Sequence, residues 1–171
     1  MSVSLKYAHV ERERRWLLRR VPAGLPVESR AEITDRYLVG TRLRLREVRG
    51  PDGVVRKLGH KVRLGQGPDE IACTSVYLDE SEWAVLSVLE AHVLHKERLR
   101  FAVDGTVVAV DVFAGACAGL VLAELDRGDG PDLGLPAGFL DAADVVAEVT
   151  HDESFTGARL AAAPDPALWT S

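Results

Sequence analysis

The chain is poor in every residue type that would build a disulfide framework or a membrane span. Of its 171 residues only two are cysteines, Cys73 and Cys117. They lie far apart and outside any Cys-x-x-Cys spacing, which excludes a disulfide scaffold and a structural zinc site. They read as two reduced small hydrophobes in a cytoplasmic protein. Aromatic residues make up 6% of the chain, so Val, Leu and Ala must fill the core. The longest apolar run, VFAGACAGLVLA at 112–123, is too short to cross a bilayer, and no membrane association is expected. The first eight residues do not have the form of a secretory signal. Positive charge is not in excess: 21 Lys and Arg stand against 26 Asp and Glu. That balance speaks against a generic nucleic-acid or membrane-surface binder. The glycines of RGDGPDLG, 127–134, lack the Gly-Lys-Ser/Thr ending of a phosphate loop.

What the chain has is alternation. Polar and apolar residues exchange with period two over 8–18, 32–39, 41–49, 54–64, 71–79, 93–104, 106–114 and 119–127, the pattern of half-buried strands. Turn residues separate them, the Asp104-Gly105 pair being the strongest hairpin signal. A helix is expected after Asp79, which has capping-box spacing to Glu82. A second short helix is expected after Thr150, spaced likewise from Glu153. The segment 127–140 reads as loop. The expected architecture is α+β and mainly antiparallel β: eight strands curled into a closed barrel with a few flanking helices. It occupies one domain over residues 1–161, with a loose Ala/Pro-rich tail over 162–171.

Side chains two apart on a strand share a face. Glu11, Glu13 and Arg15 therefore share one, opposite Val10 and Trp16. Arg42, Arg44 and Arg46 share another, as do Lys57, Lys61 and Arg63, and Lys96, Arg98 and Arg100. Asp111 is a single acid in the apolar VVAVDVF, and Glu124 and Asp126 share a face. One strand of this kind is ordinarily the solvated face of a sheet. Three strands with cation faces beside others with acid faces fit that reading less well, because a solvated sheet mixes signs across neighbours. If the charged faces point into a barrel, their cations need an anionic partner such as a polyphosphate. The acids would suit Mg²⁺ or Mn²⁺.

VERERRWL resembles the Glu-x-Glu-x-Lys opening of the CYTH superfamily, the triphosphate tunnel metalloenzymes. The resemblance runs on in order through ITDRYLVGTRLRLRE, GHKVRLG, VYLDESEW, HKERLRF, VDVFAGACAGLVLAELD and AEVTHDESFTGARLA. It covers residues 9–161. It implies an eight-stranded tunnel that holds a triphosphate between basic residues and divalent metal. Position by position it implies Glu11, Glu13, Arg15 and Lys61 as catalytic residues. Arg44, Arg46, Lys61, Lys96 and Arg98 would bind substrate, and Glu11, Glu13, Asp111, Glu124 and Asp126 would hold Mg²⁺ or Mn²⁺. Glu148 matches the acid before Val-Thr. The implied activity is metal-dependent hydrolysis of a small triphosphate, inorganic triphosphate by default. The alternatives are a non-catalytic module that binds polyphosphate or nucleotide, and an adenylate cyclase of the same fold. A nucleic-acid partner is not expected, and a homodimer is compatible with the family. Four departures bear on function: Arg15 stands where the motif has lysine, and Cys73, Ser75 and Ala109 stand where acids are common.

Overall fold

Among the described residues eight strands follow from the alternating segments and a short ninth joins them. The computed structural model describes residues 5–65, 67–128, 130 and 134–170. The strands are β1 (His9–Leu18), β2 (Ser29–Leu38), β3 (Leu43–Gly50), β4 (Gly53–Arg63), β5 (Glu70–Tyr77), β6 (Ala91–Val103), β7 (Thr106–Phe113), β8 (Val121–Asp126) and β9 (Val145–Glu148). Helices α1 (Glu80–Leu86), α2 (Ala137–Ala142) and α3 (Gly157–Ala162) flank them. The sheet runs β5-β4-β3-β2-β6-β7-β8-β1, and β5 pairs with β1 to close it. The result is an eight-stranded antiparallel barrel in an α+β chain. Strand β9 adds to the end of β1 beyond β5, with Trp16 opposite Glu148. The β6–β7 turn places Asp104 at φ 49° and Gly105 at φ 75°, the left-handed pair that matches the twist of a two-residue hairpin.

Most of the apolar core lies outside the barrel wall. Trp16, Leu18, Phe101, Val108, Val110 and Ala123 face outward from β1, β6, β7 and β8 and pack with Phe139 of α2. The rings of Phe101 and Phe139 meet edge to face at 6.1 Å, a favoured aromatic geometry. A second cluster closes one end of the barrel. Leu94, Phe113 and Leu122 lie one alternation step beyond the charged positions Lys96, Asp111 and Glu124, and they pack against Phe155 and Leu160. The strand interior between these apolar regions is left to charge. No helix among the described residues is long and apolar enough to cross a membrane.

Four local expectations change. β9 was not anticipated, being only four residues long. Within 127–140, read as loop, α2 forms because Phe139 can be fully buried; residues 129 and 131–133 of that stretch lie outside the described residues. Thr150 caps no helix: its Oγ1 accepts from the Arg15 amide at 3.0 Å and donates to Glu148 at 2.7 Å. Asp152 instead caps a short 3-10 turn at Glu153–Phe155, and α3 follows. Beyond residue 161 the chain turns at Pro166–Leu168 and brings Trp169 against the second cluster.

Candidate active site in the barrel lumen

Alternation turns the charged residues inward onto one cavity of about 480 Å³. Strand β1 supplies Glu11, Glu13 and Arg15, and β3 supplies Arg44 and Arg46. Lys57 and Lys61 come from β4, Lys96, Arg98 and Arg100 from β6, and Glu124 and Asp126 from β8. The expected site residues thus converge, apart from Asp111. That acid is fully buried behind the lining, where it accepts from Lys96 and, at 2.7 Å through each oxygen, from Arg98. Arg42 lines an adjoining cavity at the α3 end, which shares Arg15, Tyr37, Arg44, Lys61 and Gly157 with the lumen.

Within the lumen most cations are already matched to acids. Lys61 donates to Glu11 at 2.8 Å. Arg15 reaches Glu13 at 2.9 Å and Glu124 at 3.4 Å, and Arg98 bridges Asp111 and Glu124. Burial and the charge of Glu124 push the Glu13 carboxyl up, but Lys61 and Arg15 outweigh them and hold it below its usual range. Burial likewise opposes ionisation of Glu124, yet Lys96, Arg98 and Arg15 keep it well below that range. Burial lowers the Lys96 pKa by more than Asp111 restores. The guanidinium of Arg15 keeps one buried nitrogen, Nη1, without a hydrogen-bond partner among the described residues. A buried cationic donor in that condition favours an anionic ligand.

One site residue was missed in the sequence. Asp35 of β2 is 1% exposed and accepts from Arg46 at 2.6 and 2.7 Å, with Arg44 at 3.4 Å. Burial raises its pKa, and the two arginines bring it far below the ordinary carboxylate value. In ITDRYL, Asp35 is a lone acid between Ile33 and Tyr37, and only the pairing of β2 with β3 sets it opposite Arg46. Tyr37 has its own pKa pushed up to about 12 by burial and by Asp35. Arg12 and Arg14, on the other face of β1, pair with Glu70 and Glu148. Glu148 therefore sits outside the lumen.

No protein-family model matches the sequence, and no curated protein does. Solved structures do. The inorganic triphosphatase NE1496 superposes with a TM-score of 0.58 at 21% identity, over 91% of this chain and 97% of that one. The barrel has the fold of that triphosphatase. The PH1819 protein from Pyrococcus horikoshii OT3 superposes with a TM-score of 0.52 at 14% identity, over 75% of this chain and 80% of its own. A conserved hypothetical protein from Pyrococcus furiosus gives 0.51 at 14% identity, over 77% and 83%.

The carboxylates that line the lumen raise the question of a divalent metal. Glu11, Glu13, Glu124 and Asp126 offer hard oxygen donors from two adjacent strands, the chemistry that Mg²⁺ and Mn²⁺ prefer. The repulsion between Glu13 and Glu124 is one that a divalent cation relieves. The donor set therefore fits a hard divalent ion. Among the described residues no three His, Cys, Asp or Glu side chains already converge as a metal cluster. An incoming ion must draw carboxylates away from Lys61, Arg15 and Arg98.

Proposed function

We propose that the tunnel binds a linear triphosphate and hydrolyses one of its phosphoanhydride bonds with a divalent metal, inorganic triphosphate being the default substrate. The observation that carries this reading is the convergence of cations from β1, β3, β4 and β6 on one lumen, interleaved with acids from β1 and β8. Arg44, Arg46, Lys61 and Lys96 would grip phosphate oxygens. Arg15 and Arg98, oriented by Glu13, Asp111 and Glu124, would meet the charge that develops on the transferring group. Arg15 stabilises charge and takes no proton, since a guanidinium stays protonated and Glu13 and Glu124 raise its pKa further against burial. When bound by Glu11, Glu13, Glu124 and Asp126, Mg²⁺ or Mn²⁺ would supply Lewis-acid polarisation of the phosphoryl oxygens.

The test is phosphate release from tripolyphosphate with Mg²⁺, Mn²⁺ or EDTA, with ATP in parallel. Release should require metal and prefer tripolyphosphate. Glu124→Gln should lower it by about 100-fold while the fold is kept; unchanged turnover in that variant would contradict the reading. The second reading, a module that binds polyphosphate or nucleotide without turnover, is favoured by Cys73, Ser75 and Ala109. These leave three positions on the lumen face of β5 and β7 without a carboxylate. Tight triphosphate binding with no release under either metal would select it.

A further inference from the structure

Two lumen cations stand outside the ion-pair network. Lys57 of β4 and Arg100 of β6 both line the cavity. Among the described residues neither side chain makes a hydrogen bond or ion pair. They also lie toward the same end of the barrel. Strands β3 and β6 are parallel to each other, because each is antiparallel to β2, and β4 runs against β3. The steps Lys96, Arg98, Arg100 and Lys61, Gly59, Lys57 therefore advance in one direction. Each step of two residues covers about 7 Å along its strand. The direction leads away from α3, for Arg44 pairs with Tyr37 at the α3 end while Lys57 pairs with Arg46, one step further on.

The wall around this mouth is small and aliphatic: Ala31, Val48, Val107 and Ala109 line it. Asp126, the nearby acid on β8, is occupied by the backbone amides of Arg12 and Gly128. Burial lowers the Lys57 pKa, and the adjacent Arg46 and Arg44 lower it further, against weaker opposition from Cys73 and Glu11. Both cations thus face one mouth with too little negative charge around them.

We propose that this mouth continues the anion track beyond the triphosphate site, so that the preferred ligand is a linear polyphosphate of more than three phosphoryl groups, threaded out of the end opposite α3. The proposal rests on the tunnel reading above and names its ligand class. The paired core must loosen its own salt bridges to take a phosphate. Lys57 and Arg100 have none to give up, so each further phosphoryl group that reaches them gains a charge-assisted contact without that cost. Tyr77, the cross-strand partner of Lys57 on β5, stands exposed at this mouth. A base stacked on its ring would leave both cations without phosphate oxygens, so the two cations favour a bare polyphosphate over a nucleotide or an RNA 5′ end.

Calorimetric titration at one fixed ionic strength tests this. The ligands are tripolyphosphate, a linear chain of about five phosphoryl groups, and ATP. The proteins are the wild type and the Lys57→Met/Arg100→Met double variant, each first checked for an unchanged melting curve. The wild type should bind the longer chain about tenfold or more tighter than tripolyphosphate. The double variant should lose that advantage and keep its tripolyphosphate affinity within about twofold. Equal wild-type affinity for the two chains overturns the proposal, as does a double variant weakened equally toward both. A gain for ATP in place of the longer chain also overturns it. A wild type that binds none of the three ligands fails the tunnel reading itself; one that binds tripolyphosphate but gains nothing from length fails only the extension.

Discussion

Asp35 holds two arginines in a wall almost closed to water. Removing it leaves Arg46 and Arg44 buried with their counter-charge gone, and breaking one side of a buried pair costs about 3–5 kcal/mol. Asp35→Ala should therefore lower the unfolding free energy in urea by that order; a loss under about 1 kcal/mol would mean the arginines find other partners. Acid should act on the same groups. Asp35, Glu13 and Glu124 all have folded pKa values below their ordinary ones. Their stabilisation is present above the unfolded carboxylate values of about 4 and fades as pH falls below them, because there the unfolded chain binds protons that the folded chain refuses. Denaturation midpoints should drop steeply below about pH 4, and less steeply in Glu124→Gln. The lumen residues Glu11, Glu13, Arg44, Arg46, Lys61, Arg98 and Glu124 were legible because alternation alone assigns them one face. Asp35 was not, because a single acid between Ile33 and Tyr37 shows its meaning only once β2 is paired with the arginine strand β3.

The approach of helix α3 to the barrel depends on a missing side chain. A Cβ at Gly157 would come within 2.1 Å of the Tyr37 hydroxyl and 3.1 Å of the ring carbon that bears it. Gly157→Ala should destabilise the fold by about 1–3 kcal/mol through overpacking. Adding Tyr37→Phe, which removes the hydroxyl, should recover much of that loss in a thermal melt. A double variant no better than the single one would mean that the glycine serves the backbone and not the close approach. The eight barrel strands were readable because period-two alternation is a strong local signal. The smaller elements depend on tertiary contacts. Strand β9 needs the free edge at the end of β1, and α2 needs the outward core that receives Phe139. Thr150 left its expected cap because the Arg15 backbone and Glu148 offered better partners.

At the level of the whole molecule the barrel is turned inside out relative to an ordinary β core: apolar residues pack on the outside of β1, β6, β7 and β8, and ions fill the inside. Period-two alternation says that the two faces differ but not which one points inward. Closure of β5 onto β1, with His9 opposite Cys73 and Glu11 opposite Ile71, settles that the charged face is the lumen. Closure also brings Lys61 within reach of Glu11 across two strands that are fifty residues apart in the chain. Replacing buried ion pairs with apolar residues is often neutral or stabilising, so stability alone does not account for such a lumen, and the multiply charged anion proposed above would. The most direct measurement is calorimetric titration of tripolyphosphate into the wild type and into Lys61→Met, whose pair with Glu11 is only partly buried, so the variant should fold. We expect one triphosphate per chain, with a dissociation constant that rises about tenfold or more in Lys61→Met. A folded wild type that takes up no triphosphate, or a variant that binds it equally well, would contradict the account.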